Sequence, residues 1–395
     1  MSAVFHVTYL LSLSGSETPE ERILALQLEQ SAELPDSVVE SMGVSGVKGV
    51  VTARYQPDPQ HVVVTIAWPS DNHAAEITQF FNILFGNISL KQGIAILDIQ
   101  WNDLAPHLFK GPAWGIDRIR KSWNIPGRAL SCTALKPMGF PTGDLADAAY
   151  RFALGGIDII KDDHGITNQA PAPFRDRVTT CVEALERAAQ KTGRRSRYFP
   201  NITTDPHLVS ERYEMAAELG ADGVLFAPIL SGPALMHHLA QSSTDLPIMA
   251  HPAFSGSLIA HHPHVLAQKK GERGPVVTRQ DGDIHAENGR HGFEPGLFYG
   301  ALWRALGADF VIYPNSGGRF SFSAESCGSI NHEARRGDLP FAPSFPAPGG
   351  GMQRDRMEHW LRRYGHDTTF LIGGNLYEDP EGLESASRAF MEVIR

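Results

Sequence analysis

Residues 155–166, GGIDIIKDDHGI, run a β-branched apolar stretch into Lys161, Asp162, Asp163 and His164 before Gly165 breaks the chain. Four polar groups thus collect where a strand meets its loop. That is where α/β proteins place their chemistry. Taken alone, an ordinary ion pair between Lys161 and an aspartate at the rim is the simpler account. The rest of the chain has to decide.

Other strand ends carry similar groups. Lys136 follows SCTALKP, Asn201 lies in RYFPNIT, and His251 ends PIMAHPA. Ser316, Gly317, Gly318 and Arg319 follow FVIYPNS; Gly349, Gly350 and Gly351 end SFPAPGG; Gly373, Gly374 and Asn375 end TFLIGGN. Glycines let backbone N–H groups approach phosphate oxygens closely. One glycine-rich turn is weak support, but two at adjacent strand ends favour a phosphate site.

The elements that must position these groups can be read from pattern. SCTALKP, IDIIKDD, RYFPNIT, GVLFAPI, PIMAHPA, FVIYPNS, SFPAPGG and TFLIGGN are short apolar runs ending in polar or glycine residues, most of them followed by a helix. Eight such units over roughly 260 residues are what a (β/α)8 TIM barrel requires, with its active site at the C-terminal strand ends. GDLADAAYRFALGG and FRDRVTTCVEALERAAQKTG carry helix signals between the first strands. The segment after the fifth strand, 255–292, is polar and rich in histidine and glycine without periodicity; a lid and a plain surface loop fit it equally. Upstream, residues 4–13 and 61–68 read as strands, with helices at TPEERILALQLEQSA and AAEITQFFNILFG, so a small sheet backed by helices precedes the barrel. The expected division is an α+β domain over 1–125 and a barrel over 126–395.

Composition narrows the function classes. The 395 residues are 42% hydrophobic with 38 Gly and 27 Pro, enough for a full core and two domains. A net charge of -9 argues against a nucleic-acid partner. Cys132, Cys181 and Cys327 show no paired or metal-like spacing and read as free thiols in a reducing compartment. The opening MSAVFHVTYLLSL lacks a positive start and a continuous apolar run, so neither a signal peptide nor a membrane span is expected and the cytoplasm is the default.

Two motifs carry a resemblance over nearly the whole chain. GGIDIIKDDHGITNQ is similar to the Gly-Gly-x-Asp-x-x-Lys-Asp-Asp-Glu signature of the ribulose-bisphosphate carboxylase (RuBisCO) large chain, and CTALKP to its strand-one lysine motif. The chain resembles the RuBisCO-like (form IV) proteins more closely than the carboxylase. The resemblance implies an α/β fold with a ferredoxin-like N-terminal domain before the barrel. It also implies Mg2+ or another divalent metal held by Lys161 as an N6-carboxylysine carbamate and by Asp163. Glu29 in ALQLEQS and Asn87 in FGN look like segments that reach a neighbouring subunit's site, which implies a homodimer with shared active sites. The expected partner is a phosphorylated small-molecule substrate held by Glu29, Asn201, Ser316, Gly317, Arg319, Gly350, Gly351, Gly373 and Gly374. Lys136, Lys161, His164, His251 and Asn87 are the candidate catalytic residues; Asp162 is expected to be structural.

Three departures limit the analogy. His164 stands where the family has its glutamate ligand, so it is either a nitrogen ligand for a borderline metal, a proton carrier, or a neighbour of a weakly held Mg2+. KPMGFP lacks the family's second lysine, and no lysine follows Lys270, so carbon fixation is excluded. What remains is metal-assisted enolate chemistry on a phosphorylated keto sugar or sugar acid, by a lyase or isomerase. The leading expectation is carbon–carbon cleavage, by decarboxylation or by transcarboxylation and hydrolysis, of a substrate like 3-oxo-isoapionate 4-phosphate. The alternatives are a methionine-salvage enolase, a methylthioribulose-phosphate isomerase, and an idle metabolite-binding or regulatory relative.

Overall fold

A computed structural model describes residues 3–104, 107–260, 291–318, 320 and 322–394. Most of the segment read as a lid or loop, 261–290, and the candidate anion ligand Arg319 lie outside the described residues. The chain forms two compact units. One comprises Met1–Lys110, Gly256–Phe298 and Asp338–Pro340; the other comprises Gly111–Ser255, Tyr299–Gly337 and Phe341–Arg395.

The smaller unit is built on strands β1 (Val4–Ser12), β2 (Val50–Asp58), β3 (His61–Pro69) and β4 (Ile94–Ile99). They pair antiparallel in the order β4-β1-β3-β2, the ferredoxin-like arrangement. Both β1 and β3 are apolar and mostly buried, whereas β2 at the edge is exposed along nearly its whole length. The helix Pro19–Glu29 starts at Thr18 in a capping box, with Thr18 and Glu21 bonded reciprocally.

The larger unit holds eight parallel strands: β5 (Leu130–Leu135), β6 (Ile159–Asp162), β7 (Arg197–Phe199), β8 (Val224–Phe226), β9 (Ile248–Ala250), β11 (Phe310–Pro314), β12 (Phe345–Gly349) and β13 (Thr369–Leu371). The short β10 (Gly292–Phe293) instead joins β4 of the smaller unit in parallel. Around the barrel the order follows the chain, and the ring closes between β7 and β8 through a bridge from Asn201 to Leu225. All eight strands expected from the sequence are present.

Strand alternation fills the barrel. Leu130, Cys132, Ile159, Phe199, Leu225, Met249, Phe310, Ile312, Phe345 and Ala347 form one buried cluster, sealed at the foot by Ile116, Ile119 and Trp123 of the helix Gly115–Trp123. That helix lies within the barrel unit. The period of two that turns Cys132 and Ile159 inward carries the inward face on through Ala134 to Lys136 and through Lys161 to Asp163. The polar groups are thus the top layer of the same lumen.

Candidate active site

Lys161 is 2% exposed, paired with Ala134 on the neighbouring strand, and its Nζ donates to the Asp162 carbonyl at 3.1 Å. Burial lowers its pKa, and the nearby carboxylate of Asp163 only partly offsets this. An amine held this way is biased toward its neutral form. A rim ion pair would have kept it protonated and wet.

Asp163 is the centre of the polar layer. Lys136 Nζ lies 3.0 Å from Asp163 Oδ1 and His164 Nδ1 lies 3.3 Å from Oδ2. Burial raises the carboxyl's pKa, but the His164 hydrogen bond and the charges of Lys161 and Lys136 outweigh it and hold it well below the usual carboxylate range. His164 stacks on His251, ring centroids 4.6 Å apart at 13°. Burial lowers the His251 pKa well below normal, and the charges of Lys161 and His164 add to this. His251 Nδ1 lies 3.1 Å from the Ala253 N–H and accepts from it, so the neutral ring carries its proton on Nε2. The structure therefore brings Lys136, Lys161, Asp163, His164 and His251 into one cluster.

The loop carrying Asp163 and His164 is held from behind. Asp162 is buried and accepts from Arg177 Nε (3.1 Å), the Tyr198 hydroxyl (2.7 Å) and the Asn201 N–H (2.8 Å). Asn201 donates its side-chain amide to the His164 and Ile166 carbonyls and accepts from the Thr203 N–H. Its amide is thereby committed to the loop, and it is 1% exposed. Arg177 donates to the Ala172 and Thr167 carbonyls as well. Sequence reading missed Arg177 and Tyr198. The available signal was an arginine on the apolar face of its helix, between Phe174 and Val178.

The glycine turns sit on adjacent strands. A side chain built on Gly350, Gly373 or Gly374 meets nothing within 4 Å, so open space lies over each. Gly318 and Gly351 pack backbone against backbone, and a Cβ on Gly351 would stand 2.8 Å from the Gly318 Cα. This draws the Ser316–Gly317–Gly318 turn onto the Gly350–Gly351 turn. Gly317, Gly350 and Gly351 have positive φ, which glycine adopts without strain.

Glu29 and Asn87 belong to the smaller unit. Asn87 Nδ2 donates to Glu29 Oε1 at 3.3 Å, and Lys91 Nζ donates to Glu29 Oε2 at 2.5 Å, holding the Glu29 pKa below normal. Lys91 escaped the sequence reading, although it lies four residues beyond Asn87.

Among the described residues, no three His, Cys, Asp or Glu side chains are grouped closely enough to hold a metal ion. A cation here needs a further oxygen donor. Buried Lys161, whose pKa burial lowers, could supply one as a carbamate beside Asp163, so the residues fit a divalent metal in that form. The three cysteines are buried and free, and among the described residues no helix is long and apolar enough to cross a membrane.

Comparison with known proteins agrees with this architecture. Residues 115–267 match the family model for the ribulose bisphosphate carboxylase large chain, catalytic domain. A 5-methylthioribulose-1-phosphate isomerase of Rhodospirillum rubrum is 34% identical over 100% of this chain and 97% of its own length. The chain belongs to the RuBisCO large-chain family. A 2,3-diketo-5-methylthiopentyl-1-phosphate enolase of Geobacillus kaustophilus is 30% identical over 94% of this chain and 83% of its own. The crystal structure of a RuBisCO-like protein from Rhodopseudomonas palustris superposes with a TM-score of 0.83 at 30% identity, covering 100% of this chain and 98% of that one. Membership of the RuBisCO-like group, and the barrel with its smaller N-terminal sheet domain, are thereby shown.

Proposed function

We propose that the chain is an enzyme that forms an enolate from a phosphorylated ketone and passes the proton on, as an isomerase or enolase does. The observation that most supports this is the buried, deprotonation-prone Lys161 one inward position below Asp163. A lysine joins CO2 only as the neutral amine, so the desolvation of Lys161 favours N6-carboxylysine. That carbamate and Asp163 would hold Mg2+ or a similar cation, with the His164 imidazole as the adjacent nitrogen donor. A cation held there would supply Lewis-acid stabilisation for negative charge on the substrate's carbonyl oxygen.

The chain's own groups do the rest. Lys136 places a positive charge beside Asp163 where negative charge develops on the substrate. His251, neutral and protonated on Nε2, donates a hydrogen bond without competing for the proton. His164, oriented by Asp163 and half-exposed, can carry the proton in and out. The turns at Gly350–Gly351 and Gly373–Gly374 would seat the substrate's phosphate.

The isomerase and enolase names of the relatives favour proton transfer on a phosphorylated substrate such as 5-methylthioribulose-1-phosphate. A second reading, carbon–carbon cleavage of a substrate like 3-oxo-isoapionate 4-phosphate, is favoured by His164, which puts a stacked imidazole where the signature has a carboxylate. Incubation in D2O with Mg2+ and bicarbonate separates them. Deuterium entering 5-methylthioribulose-1-phosphate beside its carbonyl supports proton transfer, and CO2 release from 3-oxo-isoapionate 4-phosphate supports cleavage. Inertness toward both refutes the proposal. We propose also that two copies share sites through Glu29 and Asn87. Mixed Asn87→Ala and Lys161→Met proteins should then regain activity that neither shows alone, and an active monomer rules this out.

A further inference from the structure

The end of β13 leaves a gap in the barrel's hydrogen bonding. Leu371 is the last residue paired with β5, and the Ile372 N–H donates to the Cys132 carbonyl at 2.9 Å. In a parallel ladder the next rung would join the N–H and C=O of residue 374 to the Ala134 carbonyl and the Lys136 N–H. The chain has already turned away, because Gly373 (φ -117°, ψ -104°) leads into the short helix Gly374–Tyr377. Two half-buried backbone groups at the site's edge would be left without their strand partners.

The Tyr377 hydroxyl fills that rung. It accepts from the Lys136 N–H at 2.9 Å and donates to the Ala134 carbonyl at 3.1 Å. One phenol therefore supplies both the acceptor and the donor that residue 374 would have supplied. Its ring packs edge-on against Phe152 at 5.4 Å, which fixes the hydroxyl's position. Burial pushes the Tyr377 pKa up to about 12, only partly countered by the Lys136 hydrogen bond, so the group keeps its proton and both roles near neutrality.

We infer that Tyr377 is a positioning residue: it substitutes for the missing rung, so that the Gly373–Gly374 turn can leave the sheet while Lys136 stays anchored at the lumen. The inference rests on the proposed role of Lys136. Through this hydroxyl, the turn proposed to hold phosphate and the lysine beside Asp163 are fixed to each other. Nothing in the sequence spacing of Lys136 and Tyr377 announces the pair.

Tyr377→Phe removes the oxygen and keeps the ring against Phe152, so the fold is retained. Amide hydrogen exchange reads the bond directly, and Lys136 should exchange about tenfold faster or more in the variant. Turnover of the phosphorylated substrate should fall about tenfold in kcat with KM within about threefold, because seating of the phosphate persists while Lys136 loses its place. A merely structural tyrosine would lower the melting temperature without this split. Wild-type kcat in Tyr377→Phe, or unchanged exchange at Lys136, overturns the inference. The underlying reading fails separately, by full activity in Lys136→Ala.

Discussion

Strand β6 has charged residues at both of its ends, and the two ends are treated in opposite ways. At the foot, Asp158 accepts from Arg128 through two bonds (2.7 and 2.6 Å), from the Ser131 N–H (2.9 Å) and from the Ser131 hydroxyl (3.0 Å). At the top, buried Lys161 has a backbone carbonyl for its hydrogen bond, and its neighbouring charges do not restore its ordinary pKa. A buried charge is tolerated when its partners replace water, as at Asp158. Where they do not, the group's pKa shifts to favour its neutral form, as at Lys161. The first end is compensated in place, and the second is the one to which the proposed function assigns chemistry.

The sharpest way to break this comparison is to remove Lys161. Lys161→Met keeps a long apolar stem in the lumen and should lower kcat by about 10³-fold or more, with little change in KM. Its melting temperature should equal or exceed the wild type, since a poorly solvated amine has gone. A variant with wild-type turnover would return the strand end to an ordinary structural role.

Asp158→Ala tests the other end. It leaves the Arg128 guanidinium and the Ser131 N–H without their carboxylate, at a cost of about 3 kcal/mol in unfolding free energy. The folded fraction should keep its kcat. Chemical denaturation gives the first quantity, and turnover per folded molecule gives the second; loss of kcat in fully folded protein contradicts the division of labour.

Gly373→Val asks whether the open space at the top is a ligand's. Because a Cβ there meets nothing within 4 Å, the fold should be intact, and any loss comes from what occupies that space. Affinity for inorganic phosphate should drop about tenfold or more, roughly 1.4 kcal/mol. Undiminished phosphate binding, measured by calorimetry, places the anion elsewhere.

The same contrast explains what the sequence could reveal. The barrel strands were legible because each is a short apolar run with polar or glycine residues at one end, as in IDIIKDD and FVIYPNS. Strands β2 and β4 were not, because β2 is an exposed edge strand without an apolar face and β4 is interrupted by Asp98. Lys136, Lys161, Asp163, His164 and His251 could be named from position at strand ends, and the structure brings them together. Their supports could not, since Arg177 and Tyr377 act through partners 15 and 241 residues away, and no local pattern encodes such a bond. Asn201 shows the converse. Its place in the chain suggested a substrate ligand, while its hydrogen bonds tie it to the loop behind His164.

The smallest effect, and the finest test of the comparison, is the pH dependence of stability. Lys161 has a folded-state pKa below its unfolded value, so between the two values the unfolded chain binds more protons than the folded one. Stability therefore rises with pH across that window, toward the ordinary lysine value near 10.5, and the penalty for the buried charge is fully present below it. Subtracting the profile of Lys161→Met isolates this slope from every other titrating group, because the variant lacks the amine and keeps the rest. The wild type should gain on the variant as pH rises from neutral, and bicarbonate should steepen the gain, since carbamate formation draws on the same neutral amine. Denaturation curves at matched ionic strength measure it. A flat difference profile means that Lys161 is as well compensated as Asp158, and that the two ends of β6 do not differ in kind.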